Sequence, residues 1–474
     1  MTSRMRAFIL FGLSGVATPP IPAQAPVKPR PAVGAPRPFA VPRVIDRTYS
    51  NGMRIALVPF RATPTTRIEL VMRAGSTDES SDQLGVAQIV GQFLLEGTQS
   101  RSAGSIAQLI SDFGAVGGAI GVNVDAYETT FAVDVLPEGA PRMIELLADI
   151  VQHPSFPPAS LERLKSNAIR RLQSLQGQAN WLASSRTNSL LFPNNPADRL
   201  ATEAQIKLLT VDTIERFYAD YYGAGRSRLY VAGTFDQASV ERAAAAGFGG
   251  WVSRSSRTLA LPRPSEMLQR FASDSLTIRL IDRPGATQAR VQVSFPVVDQ
   301  PHPEHMALNE INMLMGSSQT ARIVSNIRER HGYSYNIFTT LARRPGSTQW
   351  MVAGDITNNV VGAALREILI EIGRLRSEPP PATELRDLQT FMAGILVSEN
   401  STAPGVLASL RWMDLYGVDT RYFGSLIQNV YGVSPADIQR VASRYLTPDR
   451  MVIVVVGDRQ ALLPQLQQLG RLVD

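Results

Sequence analysis

The chain has 474 residues, and its apolar share of 44% and charged share of 19% are those of an ordinary globular protein with roughly two to four domains. It contains no cysteine, which excludes disulfides, thiolate zinc sites, iron–sulfur clusters and cysteine nucleophiles. The net charge of +6 is small for this length, and no Lys/Arg cluster follows the amino terminus, so the composition argues against a nucleic-acid partner.

The amino terminus has the order of a secretory signal. Arg4 and Arg6 precede an apolar stretch over 7–17, and a small-x-small site follows at 23–25. The apolar stretch is too short to span a bilayer, and no later run predicts a membrane helix. We therefore predict an exported, periplasmic protein whose signal peptide is removed; a disordered tail is the alternative.

The chain contains an internal repeat. Residues 210–233 match residues 434–457, 224 positions later and without a gap, and Ile, Arg, Tyr, Val and Gly recur in register. Each copy predicts a capped helix, a tight turn and a buried strand that ends at glycine. Two halves of similar build are the simplest interpretation.

Alternating strands are predicted earlier in each half, at 67–72 and 290–295. An Asn51-Gly52 turn predicts a hairpin over 47–58, and helical and strand periods alternate irregularly after it. The fold class is therefore α+β, with helices covering one face of a largely antiparallel sheet. The predicted divisions are a signal peptide over 1–25, a Pro-rich leader over 26–42, a first domain over 43–246, a linker over 247–267 and a second domain over 268–474.

Five short segments carry a resemblance to a known family. They are Ser50–Val58, Ala74–Glu79, Leu84–Ala87, Leu95–Thr98 and Ile327–Tyr335. In their order and spacing, the chain resembles the pitrilysin family of inverted zinc metallopeptidases, in the branch that includes mitochondrial processing peptidase. The resemblance covers residues 43–474 and implies two homologous α/β-roll domains, each a mostly antiparallel sheet covered by helices.

The family's zinc site is an H-x-x-E-H motif on a helix, in which two histidines bind the metal and the glutamate is the general base; a distant glutamate is the third ligand. The resemblance places Gln88 and Gln92 at the histidine positions and Gly91 at the glutamate. Arg171 falls near the third ligand. An amide is a poor zinc ligand, glycine carries no base and a guanidinium repels the metal. We therefore predict that this chain holds no metal and no other cofactor.

Only four histidines are available for a different metal site. His302 and His305 flank Glu304, but a proline also separates them and no third ligand is evident. We interpret this stretch as a solvated loop that leads into a helix over 306–315.

The segment from the second half keeps the family's substrate-binding residues. A helix over 323–330 is predicted to end at Gly332 in a left-handed conformation, and a strand begins at Tyr333. Arg328 and Tyr335 match, seven residues apart, the arginine and tyrosine with which the family binds substrate. Both side chains can donate hydrogen bonds to a peptide carbonyl or to its oxyanion. An ordinary helix arginine and a core tyrosine are the alternative.

These features lead to one preferred function and two alternatives. The preferred function is a non-catalytic, zinc-free subunit of a heterodimer whose homologous partner carries H-x-x-E-H. The partner would supply zinc and base, while this chain would bind the peptide through Arg328 and Tyr335. The alternatives are a structural or scaffold protein of the same fold and, more distantly, an independently active metallopeptidase.

Overall fold

The computed structural model describes residues 43–60, 64–252, 276–300, 302–419 and 421–473. The predicted signal peptide and leader, and most of the predicted linker, lie outside these residues. The described residues all belong to one compact unit.

The first half of the chain forms a six-stranded mixed sheet. Its strands are β1 (Ile45–Thr48), β2 (Arg54–Pro59), β3 (Thr66–Met72), β4 (Gly121–Val124), β5 (Thr129–Val135) and β6 (Ser227–Gly233). They lie side by side in the order β1-β2-β6-β3-β5-β4. Neighbouring strands are antiparallel except β2 and β6. The β1–β2 hairpin turns at Gly52, whose φ of +85° is accessible to glycine, so the predicted hairpin is confirmed.

The second half repeats this arrangement. Its strands are β7 (Thr277–Asp282), β8 (Gln288–Pro296), β9 (Asn336–Ala342), β10 (Gln349–Thr357), β11 (Val452–Gly457) and β12 (Arg471–Val473). The order is β12-β7-β11-β8-β10-β9, with β12 in the place that β1 takes in the first sheet. β7 is parallel to both β11 and β12, and the other pairs are antiparallel. The predicted fold class is confirmed, with the addition that both sheets are mixed.

Sixteen α-helices are assigned in the described residues, eight in each half. Those of the first half are α1 (Val86–Phe93), α2 (Ala103–Asp112), α3 (Ala140–Gln152), α4 (Pro158–Gln176), α5 (Ala179–Leu191), α6 (Glu203–Leu208), α7 (Val211–Tyr221) and α8 (Gln237–Phe248). Those of the second half are α9 (His305–Asn312), α10 (Arg322–Val324), α11 (Val361–Ser377), α12 (Ala382–Glu399), α13 (Ala403–Tyr416), α14 (Arg421–Tyr431), α15 (Pro435–Tyr445) and α16 (Arg459–Leu466). Two π-helical stretches, Met313–Ser317 and Ser325–Arg330, continue α9 and α10.

The repeated segments fold as predicted because the same local signals recur. The side chain of Thr210 accepts a hydrogen bond from the backbone N–H of Thr213 at the start of α7. Ser434 caps α15 in the same way, through the N–H of Asp437. Each helix then leads through a short turn into a fully buried strand, β6 or β11, that ends at glycine.

The two halves exchange helices. Each sheet packs one face on its own helices, whereas a helix from the other half covers part of the opposite face. Leu407 and Leu410 of α13 pack against the first sheet at Val58. Leu191 of α5 packs against the second sheet at Val454. This reciprocal packing buries apolar surface from both halves and holds them together. No helix in the part of the chain that the structure describes is long and apolar enough to cross a membrane.

A carboxyl group lies inside the core of the second half. Glu310 of α9 has no exposed surface, and its Oε2 accepts a hydrogen bond from Nε2 of Gln389 at 3.2 Å. Its Oε1 has no hydrogen-bond partner among the described residues. Burial raises the pKa of this carboxyl from 4.5 to about 8, so the group is mostly protonated at neutral pH.

Glu310→Gln should change how stability depends on pH. The fold favours the protonated acid, so the contribution of Glu310 is fully present below about pH 4.5 and is lost as the pH rises to about 8. Wild type should therefore lose roughly 3 kcal/mol or more relative to the variant between these pH values. Urea unfolding at both pH values measures the difference. The exposed control Glu215→Gln should show no such trend, and parallel profiles for wild type and Glu310→Gln would contradict the raised pKa.

Candidate functional site

Helix α1 carries three of the four positions at which the family has its zinc site. Gly85, whose φ is +94°, is the N-cap residue of the helix, and the side chain of Glu79 caps its first turn. The buried Glu79 carboxylate accepts a hydrogen bond from the N–H of Ala87 at 2.9 Å, and burial raises its pKa to about 7. Gln88 and Gln92 are both half-buried on this helix. The buried Glu79 cap and packing against α4, α7 and the edge strand β4 together hold helix α1 in place.

Gly91, at the position of the family's general base, is in close contact with that edge strand. A Cβ atom at this position would lie 2.6 Å from Cγ2 of Val124 and 3.4 Å from Cγ1 of Val122. The valines therefore fill the space that a side chain would take. A carboxylate could not be accommodated here without moving the strand or its side chains.

The remaining position is also unsuited to zinc. Arg171 lies on α4, and its side chain is exposed. Helices α1 and α4 do pack together, and Glu96, in the 3-10 turn that follows α1, forms an ion pair with Arg163 of α4. The helices that would carry the ligands are present, but the donor atoms are two amides and a guanidinium. Among the described residues, no three His, Cys, Asp or Glu side chains are grouped so as to hold a metal ion. The residues present do not fit the family's zinc.

Gly91→Ala should destabilise the protein although alanine favours helices. The new methyl group would overpack the contact with Val124, and we expect a net loss of about 1 to 2 kcal/mol. The matched control is Gly373→Ala in α11, where no atom lies within 4 Å of the new Cβ; this change should stabilise by up to about 1 kcal/mol. Chemical denaturation of both variants compares the two sites. Equal stabilisation by both substitutions would show that the helix and strand are not in close contact.

The structure brings Arg328 and Tyr335 together. The chain reverses at Gly332, which has a φ of +65° as predicted, and the N–H of Tyr333 donates to the carbonyl of Ile327 at 2.9 Å. The reversal returns Tyr335 to the side of Arg328, whose Cζ lies 4.7 Å from the centre of the tyrosine ring. This is a cation–π contact. The core tyrosine considered as an alternative is wrong, because the Tyr335 side chain is 83% exposed.

Two further side chains orient the Arg328 guanidinium. Its Nη1 donates to Oε1 of Gln319 at 3.0 Å, and its Nε lies 3.2 Å from Oε1 of Glu329. Neither contact was predicted from the sequence, although Glu329 is the neighbour of Arg328. The Tyr335 hydroxyl has no hydrogen-bond partner among the described residues. The pair thus presents a positioned cation and a free phenol, which can donate hydrogen bonds to a carbonyl oxygen.

His305 is not in a solvated loop, so that part of the interpretation was wrong. It is the first residue of α9, is only 2% exposed, and its Nδ1 lies 3.2 Å from the carbonyl oxygen of Val298. Burial lowers its pKa to about 3, so the imidazole is neutral at physiological pH. The predicted helix entry is confirmed. Glu304 does not ligate a metal with it, because ion pairs to Arg440 and Arg444 occupy its carboxylate.

Comparison with known proteins agrees with this architecture. The family profile "Insulinase (Peptidase family M16)" matches residues 54–200, and the profile "Peptidase M16 inactive domain" matches residues 208–392, which together cover well over half of the chain. A probable mitochondrial-processing peptidase subunit beta of Arabidopsis thaliana is 22% identical over 90% of this chain and 80% of its own length. An uncharacterized zinc protease of Bacillus subtilis is 21% identical over 74% of this chain and 83% of its own length.

Solved structures show the same fold. The crystal structure of a protease from Helicobacter pylori superposes with a TM-score of 0.80 at 16% identity, over 88% of this chain and all of that one. A peptidase M16 inactive domain from Pseudomonas fluorescens superposes with a TM-score of 0.77 at 21% identity, over 88% of this chain and 98% of that one. The two profiles, the repeated sheet topology and the Arg328–Tyr335 segment lead to the same conclusion: this chain belongs to peptidase family M16.

Proposed function

We propose that this protein is a non-catalytic, zinc-free subunit of a heteromeric M16 peptidase and that it binds the peptide substrate through Arg328 and Tyr335. The observation that carries the proposal is the contrast between two sites. The zinc positions Gln88, Gly91 and Gln92 do not fit a metal, whereas Arg328 and Tyr335 are held together at the surface.

The chemistry of the pair suits substrate binding. The Arg328 guanidinium offers several N–H donors in a fixed geometry, and the Tyr335 hydroxyl adds a further donor beside it. Both can donate to one peptide carbonyl and to the negative charge that develops on its oxygen during attack. A homologous partner with an intact H-x-x-E-H motif would supply zinc and the general base, since this chain offers neither.

A scaffold of the same fold is the alternative. The exposed Tyr335 ring beside an oriented arginine favours a binding subunit, because a purely structural role does not require an exposed donor pair. We further propose that the heterodimer works after export, in a periplasm. The order of charged and apolar residues at the amino terminus supports this part of the proposal.

Reconstitution with an H-x-x-E-H homologue tests the proposal. The chain alone should contain well under one zinc ion per molecule and should not hydrolyse peptides; the mixture should form a 1:1 complex with one zinc and chelator-sensitive turnover. The control is the same partner with its motif glutamate changed to glutamine, which should pair but not turn over. Stoichiometric zinc and activity in this chain alone would overturn the proposal. A complex whose turnover does not exceed that of the partner alone would favour the scaffold.

A further inference from the structure

The second half contains a cavity, partly open to solvent, that is separate from the Arg328–Tyr335 pair. Its volume is about 700 Å³, within the range of small-molecule sites in proteins. Helices α9, α12, α13 and α14 and the π-helical stretch after α9 form its walls. Neither Arg328 nor Tyr335 lines it.

The cavity contains a cation without a counter-charge in contact. The guanidinium of Arg343, which follows β9, donates through Nη2 to Oδ1 of Asn309 at 2.6 Å, and both residues line the cavity. Among the described residues, no carboxylate oxygen lies within 4 Å of this guanidinium. Glu399 also lines the cavity and, like Arg343, is exposed. Glu399 and Asp299 favour the charged guanidinium electrostatically, but neither makes an ion pair with Arg343.

The rest of the wall is mostly apolar and adaptable. Six of the apolar lining residues are Met306, Met313, Met392, Ile395, Met413 and Leu426. Methionine is unbranched and flexible, so a wall with four methionines can close around apolar ligands of irregular shape. The indole of Trp412 also lines the cavity and provides a spectroscopic probe within it.

We propose that this cavity binds an apolar molecule that carries one carboxylate, with the carboxylate at Arg343 and the apolar body against the methionine wall. Charge complementarity at Arg343 selects the negative group, and a guanidinium can bind a carboxylate through two parallel hydrogen bonds. Contact of the apolar body with this wall supplies most of the driving force. A fatty acid and the carboxyl end of an apolar peptide share this chemistry.

Binding to the full chain alone, without any partner subunit, tests the site independently of the peptidase proposal. The probes are dodecanoate, dodecanol and dodecyltrimethylammonium. Their binding is measured by calorimetry and by tryptophan fluorescence. Wild type should bind dodecanoate in a saturable way and much more tightly than the cation. Arg343→Gln should weaken dodecanoate at least tenfold but change dodecanol less than twofold.

Two further variants control for folding and for unspecific charge. Ala408 lines the cavity but is exposed, so Ala408→Phe should fill the space without disturbing the core and should weaken both dodecanoate and dodecanol tenfold or more. The exposed Arg216→Gln in α7 should change neither. Circular dichroism checks that each variant is folded. Equal dodecanoate affinity in wild type and Arg343→Gln, or no saturable binding of any probe, would overturn the proposal.

Binding measurements with peptides distinguish a fatty acid from the carboxyl end of a peptide as the ligand. A leucine-rich hexapeptide is compared with its carboxyl-terminal amide, which lacks the negative charge. Preference for dodecanoate over the free-acid peptide identifies a lipid-like ligand. Preference for the free acid over both its amide and dodecanoate identifies a peptide end. Equal binding of acid and amide peptides, together with unselective binding of dodecanoate and dodecanol, would contradict a carboxylate site.

Discussion

Arg328→Ala is expected to lower the turnover of the reconstituted heterodimer by roughly 10²- to 10³-fold, which is the usual effect of removing one donor to a developing oxyanion. The guanidinium is held by Gln319, Glu329 and the Tyr335 ring, so it is oriented before substrate arrives. Donors that need no reorganisation stabilise the transition state most effectively. Folding and complex formation should be unchanged, because the side chain lies at the surface.

Tyr335→Phe separates the hydroxyl from the ring. The phenylalanine ring can keep the cation–π contact with Arg328, so a loss of turnover reports on the hydrogen bond alone. The double variant should lose less than the product of the single losses, since both groups act on one bound peptide. The matched control is Arg330→Ala, an exposed arginine in the same π-helical stretch, which should leave turnover unchanged. Wild-type rates from the double variant would remove the substrate role and leave the scaffold.

Arg411→Met should weaken the packing between the two halves and lower the stability of the protein. Arg411 of α13 donates to Glu69 of β3 at 3.2 Å and to Glu128, just before β5, at 3.3 Å. Both carboxylates are about 5% exposed. Removing one partner from a buried ionic network leaves charge uncompensated. Arg67 and Arg73 still pair with these carboxylates. We therefore expect the free energy of unfolding to fall by about 2 to 3 kcal/mol, at or below the lower end of the loss usual when one partner of a buried ion pair is removed.

The pH dependence of this loss provides a second readout. Burial already raises the pKa of Glu128, against the effect of Arg73 and Arg411, and the substitution should raise it further. Protonation then relieves the uncompensated charge, so the loss should be smaller at about pH 5 than at about pH 8. Urea unfolding followed by circular dichroism measures both. The exposed control Arg421→Met should have little effect, and equal effects from the two substitutions would show that the Arg411 network does not stabilise the packing.

The parts of the fold that depend on local signals could be predicted from the sequence. The Asn51-Gly52 turn, the capped helices after Thr210 and Ser434 and the buried strands that follow them each depend on a few neighbouring residues. The repeat then implied two similar sheets, and the structure has the same strand order in both. Only the strands at one edge differ, β1 in one half and β12 in the other.

The exchange of helices between the halves could not be predicted, because it depends on contacts between distant parts of the chain. Nothing in the α13 sequence distinguishes a helix that covers its own sheet from one that covers the other. The burial of His305 and Glu310 was missed for the same reason: a polar residue at a helix start or on an apolar face looks solvated until its neighbours are known. The close contact of Gly91 with Val124 is another long-range packing result.

The candidate site also has one part that could be predicted from the sequence and one part that could not. Arg328 and Tyr335 are seven residues apart in one segment, so their proximity follows from a single chain reversal at Gly332. Gln319, which orients the arginine, lies nine residues before it in the turn that precedes α10, and the cavity at Arg343 is built from elements far apart in sequence. Neither left a recognisable pattern.

Photocrosslinking measures most directly whether a peptide bound by the heterodimer contacts this chain at Tyr335. Tyr335 is replaced by p-benzoyl-phenylalanine in the zinc-containing complex, and Leu208 of α6, which is 76% exposed, carries the same group as a control. Irradiation with a labelled peptide should attach the label to this chain at position 335, in competition with unlabelled peptide, and not at position 208. Attachment at neither position, or equally at both, would contradict a substrate-binding role for this subunit.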